Sequence, residues 1–454
     1  MTTYFEEANP AQILRDYPIG EDFATITAMS RDALHALQER RFRQVVARGW
    51  QVPFYRRHWN AAGLEPGDIQ SLDDLVKIPT FSKSDLMASV EAHPPLGDFH
   101  GMEDGRSIVL HTTSGTTGTP QPLLYGAYDR EVQNALLARA YLLQGLRPED
   151  VVHSVYGFGM VNGGHYIRET MLHYTKSMLL SAGTGLETRS EQQVALMKRF
   201  GATVIVGFAD YIAKLAQVAL EAGLEPGRDI PIRMISGHLS KDGRATLETA
   251  WPGAEAYDWY GVGDTGIVAA EGPDQDGLYL WEDAHLVEIL DPDTGAPLVD
   301  GETGNICVTP LFKTTIYPVI RFDTKDVSTI LPGEGALGPA LRRIAGFQGR
   351  SDNMVKLRGV NVYPTAIAPI LAAIDGLNGE YVCKAHVKDG REEMTVMVET
   401  SDDQSAPGLQ ASVSEELRRR LGVGLLVELT GPGGTAALTQ IESRQKPIRL
   451  IDER

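Results

Sequence analysis

His111-Thr112-Thr113-Ser114-Gly115-Thr116-Thr117-Gly118-Thr119-Pro120 follows directly on a short apolar, β-branched run, Ser107-Ile108-Val109-Leu110. That succession reads as a strand emptying into a tight loop. The two glycines let the backbone turn so that successive N–H groups point at one anion, and the hydroxyl side chains around them add donors. Such a loop is a phosphate cradle, centred on Ser114, Gly115, Thr116, Thr117 and Gly118. The same Ser/Thr/Gly composition equally suits a flexible linker. No Gly-Lys-Ser/Thr follows, so the loop is not of the Walker A kind.

With 454 residues, the chain is long enough for two or three domains and a sizeable core. Hydrophobic residues make up 43% and charged residues 22%, as in ordinary globular proteins. A net charge of −18 argues against nucleic acid and anionic membrane surfaces as partners. An anionic nucleotide therefore needs a local cation or a metal. The two cysteines, Cys307 and Cys383, lie far apart in apolar, strand-like runs and read as buried core thiols rather than a disulfide or metal site. Residues 1–20 carry acids and no apolar core, and no stretch of about 18 apolar residues occurs, so the expected location is the cytoplasm.

Ser30 to Trp50 has helical spacing of Leu34, Leu37, Phe42, Val45 and Val46, and its Arg-rich patch reads as a solvated or subunit-contact face. From 129 to 350 helix and strand patterns alternate, as in a sheet with covering helices. Past 275 the texture changes to short strands broken by turns such as Asp291-Pro292-Asp293-Thr294-Gly295, which reads as a smaller β subdomain. A boundary falls around Gly349 to Asp352, giving domains of 1–350 and 351–454. The second reads as a small α+β domain, with a helix from Pro364, a strand pair turning at Lys388-Asp389-Gly390, a helix at Ser412 to Leu421 and a final strand. The expected fold class is α/β with that α+β appendage.

The loop, Tyr260-Gly261-Val262-Gly263-Asp264, Arg321 to Asp326, Gly349-Arg350-Ser351-Asp352 and Lys446, in that order, resemble the adenylate-forming (acyl-CoA synthetase) superfamily. Within it the chain is similar to phenylacetate–CoA ligases and related aryl-acid ligases, from about Tyr55 to Arg454. Val52-Pro53-Phe54-Tyr55-Arg56-Arg57 and Ile78-Pro79-Thr80 resemble the N-terminal segment of that branch. The resemblance implies activation of an aromatic carboxylic acid by ATP and Mg²⁺, transfer to CoA, and a homodimer. Such chemistry joins two anions, so the protein's task is positioning and positive charge.

By resemblance, the cradle takes the β- and γ-phosphates, and Lys446 is the catalytic cation, delivered and withdrawn with a mobile C-terminal domain. Tyr260 lies against adenine, Asp258 accepts from its amino group, and Gly261 beside them belongs to the nucleotide-binding set. Asp264 sits where the family has a Mg²⁺-binding glutamate. Asp326 holds the ribose hydroxyls, Arg350 meets the nucleotide, and Asp352 is the hinge. Lys356 and Gly359 match the loop that lines a CoA tunnel. The acid pocket is expected from Tyr156, Phe158, Gly159, Asn162, His165, Phe208, Gly237 and His238, a mix of aromatics and glycines that suits a flat ring. Either histidine, or Asn162, could read a ring substituent or simply pack.

Several positions depart from the family pattern. Asp264 is one carbon shorter than glutamate and follows Gly263 rather than a hydroxyl residue. Thr119 and Gln121 stand where many relatives place a lysine, Asp323 stands where many have an arginine, and Gln445 replaces a glycine. These departures keep two other readings open: an adenylating enzyme that passes its acyl group to an amine or a carrier-protein thiol, and a degenerate nucleotide-binding relative.

Overall fold

The computed structural model describes residues 2–101, 107–113, 120–239, 241–358, 360–388, 391–402, 407–441 and 447–454. The chain divides into two compact units, Met1–Thr324 with Ser328–Gly346, and Lys325–Val327 with Phe347–Arg454.

In the first unit a helix, α1 (Arg31–Gly49), starts where the Ser30 side chain accepts the Ala33 N–H. Its Arg-rich patch is not simply a solvated face. Arg41 is buried and donates to the carbonyls of Asp283 and Asp16, and Arg48 donates to those of Thr315 and Gly101. A guanidinium carries several donors, so it can satisfy orphan loop carbonyls that an apolar residue would leave unpaired.

The strands β1 (Ile108–Thr112) and β2 (Pro122–Gly126) form a separate antiparallel pair, and β2 runs straight into α2 (Ala127–Leu143). Helix α2 is buried on every face, including Asp129, Arg130, Glu131 and Arg139. The β-strands β3 (Val151–Ser154), β4 (Met178–Ser181), β5 (Val204–Phe208), β6 (Met234–His238) and β7 (Glu255–Val262) build a parallel sheet in the order β4-β3-β5-β6-β7. Between them run the helices α3 (Gly163–Tyr174), α4 (Ser190–Phe200), α5 (Ala209–Glu221) and α6 (Lys241–Ala250), the crossovers that parallel strands require.

The short strands past 275 do not stand apart from this sheet. β8 (Gly266–Glu271) pairs antiparallel with β7, and β9 (Leu278–Leu280), β10 (His285–Leu290), β11 (Thr303–Pro310), β12 (Phe322–Leu331) and β13 (Arg343–Ile344) extend it in the order β10-β11-β12-β13-β9-β8. Cys307, on β11, is buried and free, as expected.

In the second unit β14 (Gly349–Arg350) pairs with Asp326 and Val327, and β15 (Val355–Leu357) pairs with β16 (Val360–Val362). The long strands β17 (Leu377–Lys388) and β18 (Arg391–Thr400) lie antiparallel, flanked by β19 (Leu426–Thr430) and β20 (Leu450–Asp452) in the order β19-β18-β17-β20. Helix α7 (Leu409–Leu421) contributes Val413 and Leu417 to the core of this sheet, which also buries Cys383. The residues of the expected turn, Asp389 and Gly390, lie outside the described residues. Among the described residues no helix is long and apolar enough to cross a membrane.

Candidate active site

The pairing of β1 with β2 fixes both ends of the glycine-rich loop. Thr112 opposes Pro122, the Thr113 N–H donates to the Gln121 carbonyl at 3.1 Å, and the Gln121 N–H donates back to Thr113 Oγ1 at 3.1 Å. The Thr112 N–H donates to the Met160 carbonyl at 2.8 Å, and Thr112 bridges Val161. The strand end at Thr112 therefore lies beside the segment 156–165, which carries five of the eight residues of the expected acid pocket. Ser114, Gly115, Thr116, Thr117, Gly118 and Thr119 lie outside the described residues.

Asp264 sits at the foot of this loop. It is buried, and its Oδ1 accepts from Gln121 Nε2 and from the Tyr317 hydroxyl, each at 2.6 Å. Burial, then the charge of Asp264, pushes the Tyr317 phenol well above its ordinary value and keeps it a donor. Lys313 Nζ donates to the Asp264 backbone carbonyl at 2.7 Å and lies over the Tyr317 ring. Gln121, which stands in place of a loop lysine, is thus used to orient Asp264. One carboxylate oxygen is anchored by two donors, and Oδ2 makes no hydrogen bond to another described residue. A fixed carboxylate with an open oxygen suits Mg²⁺, which is bound through one or two carboxylates plus substrate phosphates. Among the described residues there is no group of three or more His, Cys, Asp or Glu side chains able to hold a metal by themselves.

The aromatic residues expected to line the acid pocket fall into two groups. Phe208 stacks on His238 with centroids 5.2 Å apart, His238 lies 4.2 Å from Trp259, and Tyr156 meets Phe208 edge-on at 5.2 Å. Phe158 meets His165 edge-on at 5.2 Å, and His165 lies 5.1 Å from His111. Each pocket histidine has a ring nitrogen on a backbone carbonyl, His165 on Gly159 at 2.9 Å and His238 on Trp259 at 3.2 Å. These bonds orient the rings. Gly237 has a strand role as well: a Cβ there would lie 1.8 Å from the Gly207 carbonyl, so β5 and β6 approach more closely than any side chain allows. Asn162 begins α3, and its Oδ1 accepts from Arg130.

At the C-terminal end of the parallel strands, Asp258 Oδ1 accepts the Leu239 N–H at 2.9 Å. Burial raises its carboxyl well above the usual range, an effect that this bond opposes and the charge of Glu271 reinforces. Tyr260 is buried, and its hydroxyl donates to Thr324 Oγ1 at 3.2 Å. Gly261 follows it on β7, opposite Ile267. Asp323 accepts from Asn305 Nδ2 at 3.2 Å, and Arg321 is paired with Glu288 at 2.8 Å.

In the second unit Arg350 Nη1 donates to Asp326 Oδ1 at 2.7 Å, while its Nε and Nη2 grip both oxygens of Asp352. Gly349 has φ 142°, and the Tyr363 ring lies 2.9 Å from where a Cβ would stand, so the residue beside the expected hinge must be glycine. Gly359, Gln445 and Lys446 lie outside the described residues, as does the side chain of Lys356.

Arg130, Lys313 and Tyr317 went unnoticed in the sequence because their partners are remote in the chain. The one local signal was Lys313, a lone charge after the apolar pair Leu311-Phe312.

Residues 72–310 match the family model of the AMP-binding enzymes, and residues 359–454 match the AMP-binding enzyme C-terminal domain. The chain belongs to the AMP-binding enzyme family. Within the family it is similar to the phenylacetate-coenzyme A ligase of Aromatoleum evansii, 30% identical over 96% of this chain and 98% of that protein. The Pseudomonas putida phenylacetate-coenzyme A ligase is likewise 30% identical, over 94% of this chain and 95% of that one. Among solved structures, 2-hydroxyisobutyryl-CoA ligase in its postadenylation state with R3-HIB-AMP superposes with a TM-score of 0.83 at 26% identity, covering 94% of this chain and 91% of that chain. The resemblance to the phenylacetate–CoA ligase branch is borne out over nearly the whole length.

Proposed function

We propose that this protein is an aryl-acid–CoA ligase. A carboxylate oxygen of the acid attacks the α-phosphorus of ATP, the bond to the β-phosphate breaks, and pyrophosphate leaves. The CoA thiolate then attacks the acyl carbon, and AMP departs with both electrons of the broken C–O bond. The observation that carries this reading is 30% identity to a phenylacetate-coenzyme A ligase over 96% of the chain.

Within that reaction we assign Ser114, Gly115, Thr116, Thr117 and Gly118 to the β- and γ-phosphates, Asp258 and Tyr260 to adenine, Gly261 to the nucleotide, and Asp326 and Arg350 to ribose and nucleotide. Asp264 holds Mg²⁺ together with the triphosphate, and that ion supplies positive charge to the leaving pyrophosphate. Lys446 is the cation of the adenylation step, Asp352 the hinge, and Lys356 and Gly359 the CoA-tunnel residues. The tie between Thr112 and Met160 supports this arrangement, because it holds the phosphate loop beside the aromatic segment. The acid itself binds against Tyr156, Phe158, Gly159, Asn162, His165, Phe208, Gly237 and His238. A homodimer in the cytoplasm is the setting we infer.

Pyrophosphate release from ATP and Mg²⁺ across benzoic, phenylacetic, aminobenzoic and hydroxybenzoic acids, each with and without CoA, tests the reading. Release that needs an aromatic acid, rises with CoA and yields a thioester by mass is expected. Release without thioester points to an amine or carrier-protein acceptor, and no release with any acid overturns the assignment.

A further inference from the structure

Asn162 is half-buried at the start of α3, and its Oδ1 accepts a hydrogen bond from Nη1 of the fully buried Arg130. A guanidinium has donors and no acceptor, so it admits only one orientation of the amide, with oxygen toward Arg130 and the NH₂ group turned away. That NH₂ group makes no hydrogen bond to another described residue. Val161, the preceding residue, is bridged to Thr112 at the foot of the phosphate loop, and His165, one turn further on, belongs to the aromatic lining.

The guanidinium is itself held in place. Its Nε donates to Glu169 at 2.5 Å, and its central carbon lies over the rings of Tyr125 and Tyr166, 5.4 and 5.5 Å from their centres. Burial pushes the Glu169 carboxyl up, and the adjacent Arg130 overrides this and holds it below the usual range. Asn134 bridges Glu169 to Glu131, and Glu131 accepts from the Tyr4 hydroxyl at 2.9 Å and meets His173 at 3.1 Å. A rotation of Arg130 would leave its own buried Nε and Nη1 without their partners Glu169 and Asn162, at a cost of about 1–3 kcal/mol for each buried group. The donor of Asn162 is therefore preorganised before any substrate arrives.

We propose that Arg130 is a positioning residue that locks Asn162 as a one-way hydrogen-bond donor in the acid pocket, so that the pocket selects acids presenting an oxygen acceptor to that amide. This rests on the ligase reading above. The acceptor chemistry has two sources, the reacting carboxylate or an oxygen on the ring, and the experiment separates them.

The test is acid-dependent ATP–pyrophosphate exchange by the full chain, with phenylacetate and its 2-, 3- and 4-methoxy derivatives, in wild type, Asn162→Asp, Asn162→Ala and Arg130→Lys. Asn162→Asp keeps an oxygen for Arg130 and removes the donor, so the side chain stays the same size. The expected result is an acid KM at least about tenfold higher in Asn162→Asp and Asn162→Ala, the worth of one buried hydrogen bond. The ATP KM and melting temperature of Asn162→Asp should stay near wild type. Arg130→Lys, which keeps a cation but loses the fork, should raise the acid KM by a smaller factor without an equal change in the ATP KM. A loss shared by all four acids in both Asn162→Asp and the uncharged Asn162→Ala identifies the carboxylate as the acceptor, and a loss confined to one methoxy isomer identifies the ring oxygen. An acid KM within twofold of wild type in Asn162→Asp for every acid overturns the proposal while leaving the ligase reading intact. Absence of exchange in the wild type with all acids overturns both.

Discussion

Arg350 Nη1 lies 2.7 Å from Asp326 Oδ1, and the two residues face each other directly in the register of an antiparallel pair. The backbone thus sets the ion pair before the side chains choose rotamers. One oxygen of Asp326 is committed to the guanidinium, which aims the carboxylate as an acceptor for hydroxyl groups. Asp326→Asn keeps the shape and removes the charge. It is expected to raise the ATP KM by about tenfold or more, the worth of a hydrogen bond to a charged group, with the acid KM little changed. Initial-rate kinetics with each substrate varied in turn check this, and equal rises in both KM values would count against a nucleotide role.

The role assigned to Lys446 predicts that the two halves of the reaction separate. If its ammonium offsets charge building up between carboxylate and α-phosphate, Lys446→Ala should slow adenylation on the order of 10²–10³-fold, in the range of a lost transition-state donor. Thioester formation from supplied acyl-AMP and CoA should be largely intact, because the thiolate attacks the acyl carbon and no charge then builds up between a carboxylate and the α-phosphorus. Rapid-quench measurement of the two half-reactions decides the matter, and an equal loss in both would remove Lys446 from its assigned role.

Much of the fold follows from local pattern. The β-branched run at 204–206 and the paired runs around 381 and 394 are strands, and Ser30 caps the helix after it, because each depends only on neighbours in sequence. What pattern could not show is long-range pairing. β13 inserts between β12 and β9, and Gln121 finds Asp264 across 143 residues. Helix α2 illustrates the same limit in the core, since its charged residues suggest a wet face, yet Arg130, Glu131 and Arg139 are buried against partners supplied by α3, the N-terminal segment and the loop before β10.

Asp129, at the start of α2, should make stability depend on pH. Burial raises its carboxyl to about 6, against the opposing hydrogen bond from Thr315 and the charge of Lys313. In the unfolded chain the same group titrates near its ordinary value of about 3.9. As pH rises from about 4 to 6, the unfolded chain gives up its proton first, so the folded state loses stability, amounting to about 3 kcal/mol once pH passes 6. Asp129→Asn retains an oxygen for Thr315 and cannot ionise. Thermal unfolding of both proteins from pH 4 to 7 should show the variant gaining on wild type as pH rises, and a constant difference would mean that Asp129 does not carry this shift.

Arg139 and Asp283 form a bidentate pair at 2.8 and 2.9 Å with neither side chain exposed, and the guanidinium also packs 4.6 Å from the centre of the Phe23 ring. Burial alone would push the Asp283 carboxyl up, but the charge of Arg139 and its two hydrogen bonds outweigh it and hold the group below the usual range. Such a pair need not be more stabilising than an apolar substitute, because both ions have left water. Breaking it from one side is different, since the surviving charge has no solvent to turn to. Arg139→Met should therefore cost about 3–5 kcal/mol, and Asp283→Leu a similar amount. The double variant should recover much of that loss, because no charge is then stranded. With a depressed carboxyl, the wild-type pair stabilises above the unfolded value near 3.9 and loses its effect as pH falls through the lower folded value. Urea unfolding of the four proteins at pH 7 measures the coupling, and additive losses would show that the two residues stabilise the core independently.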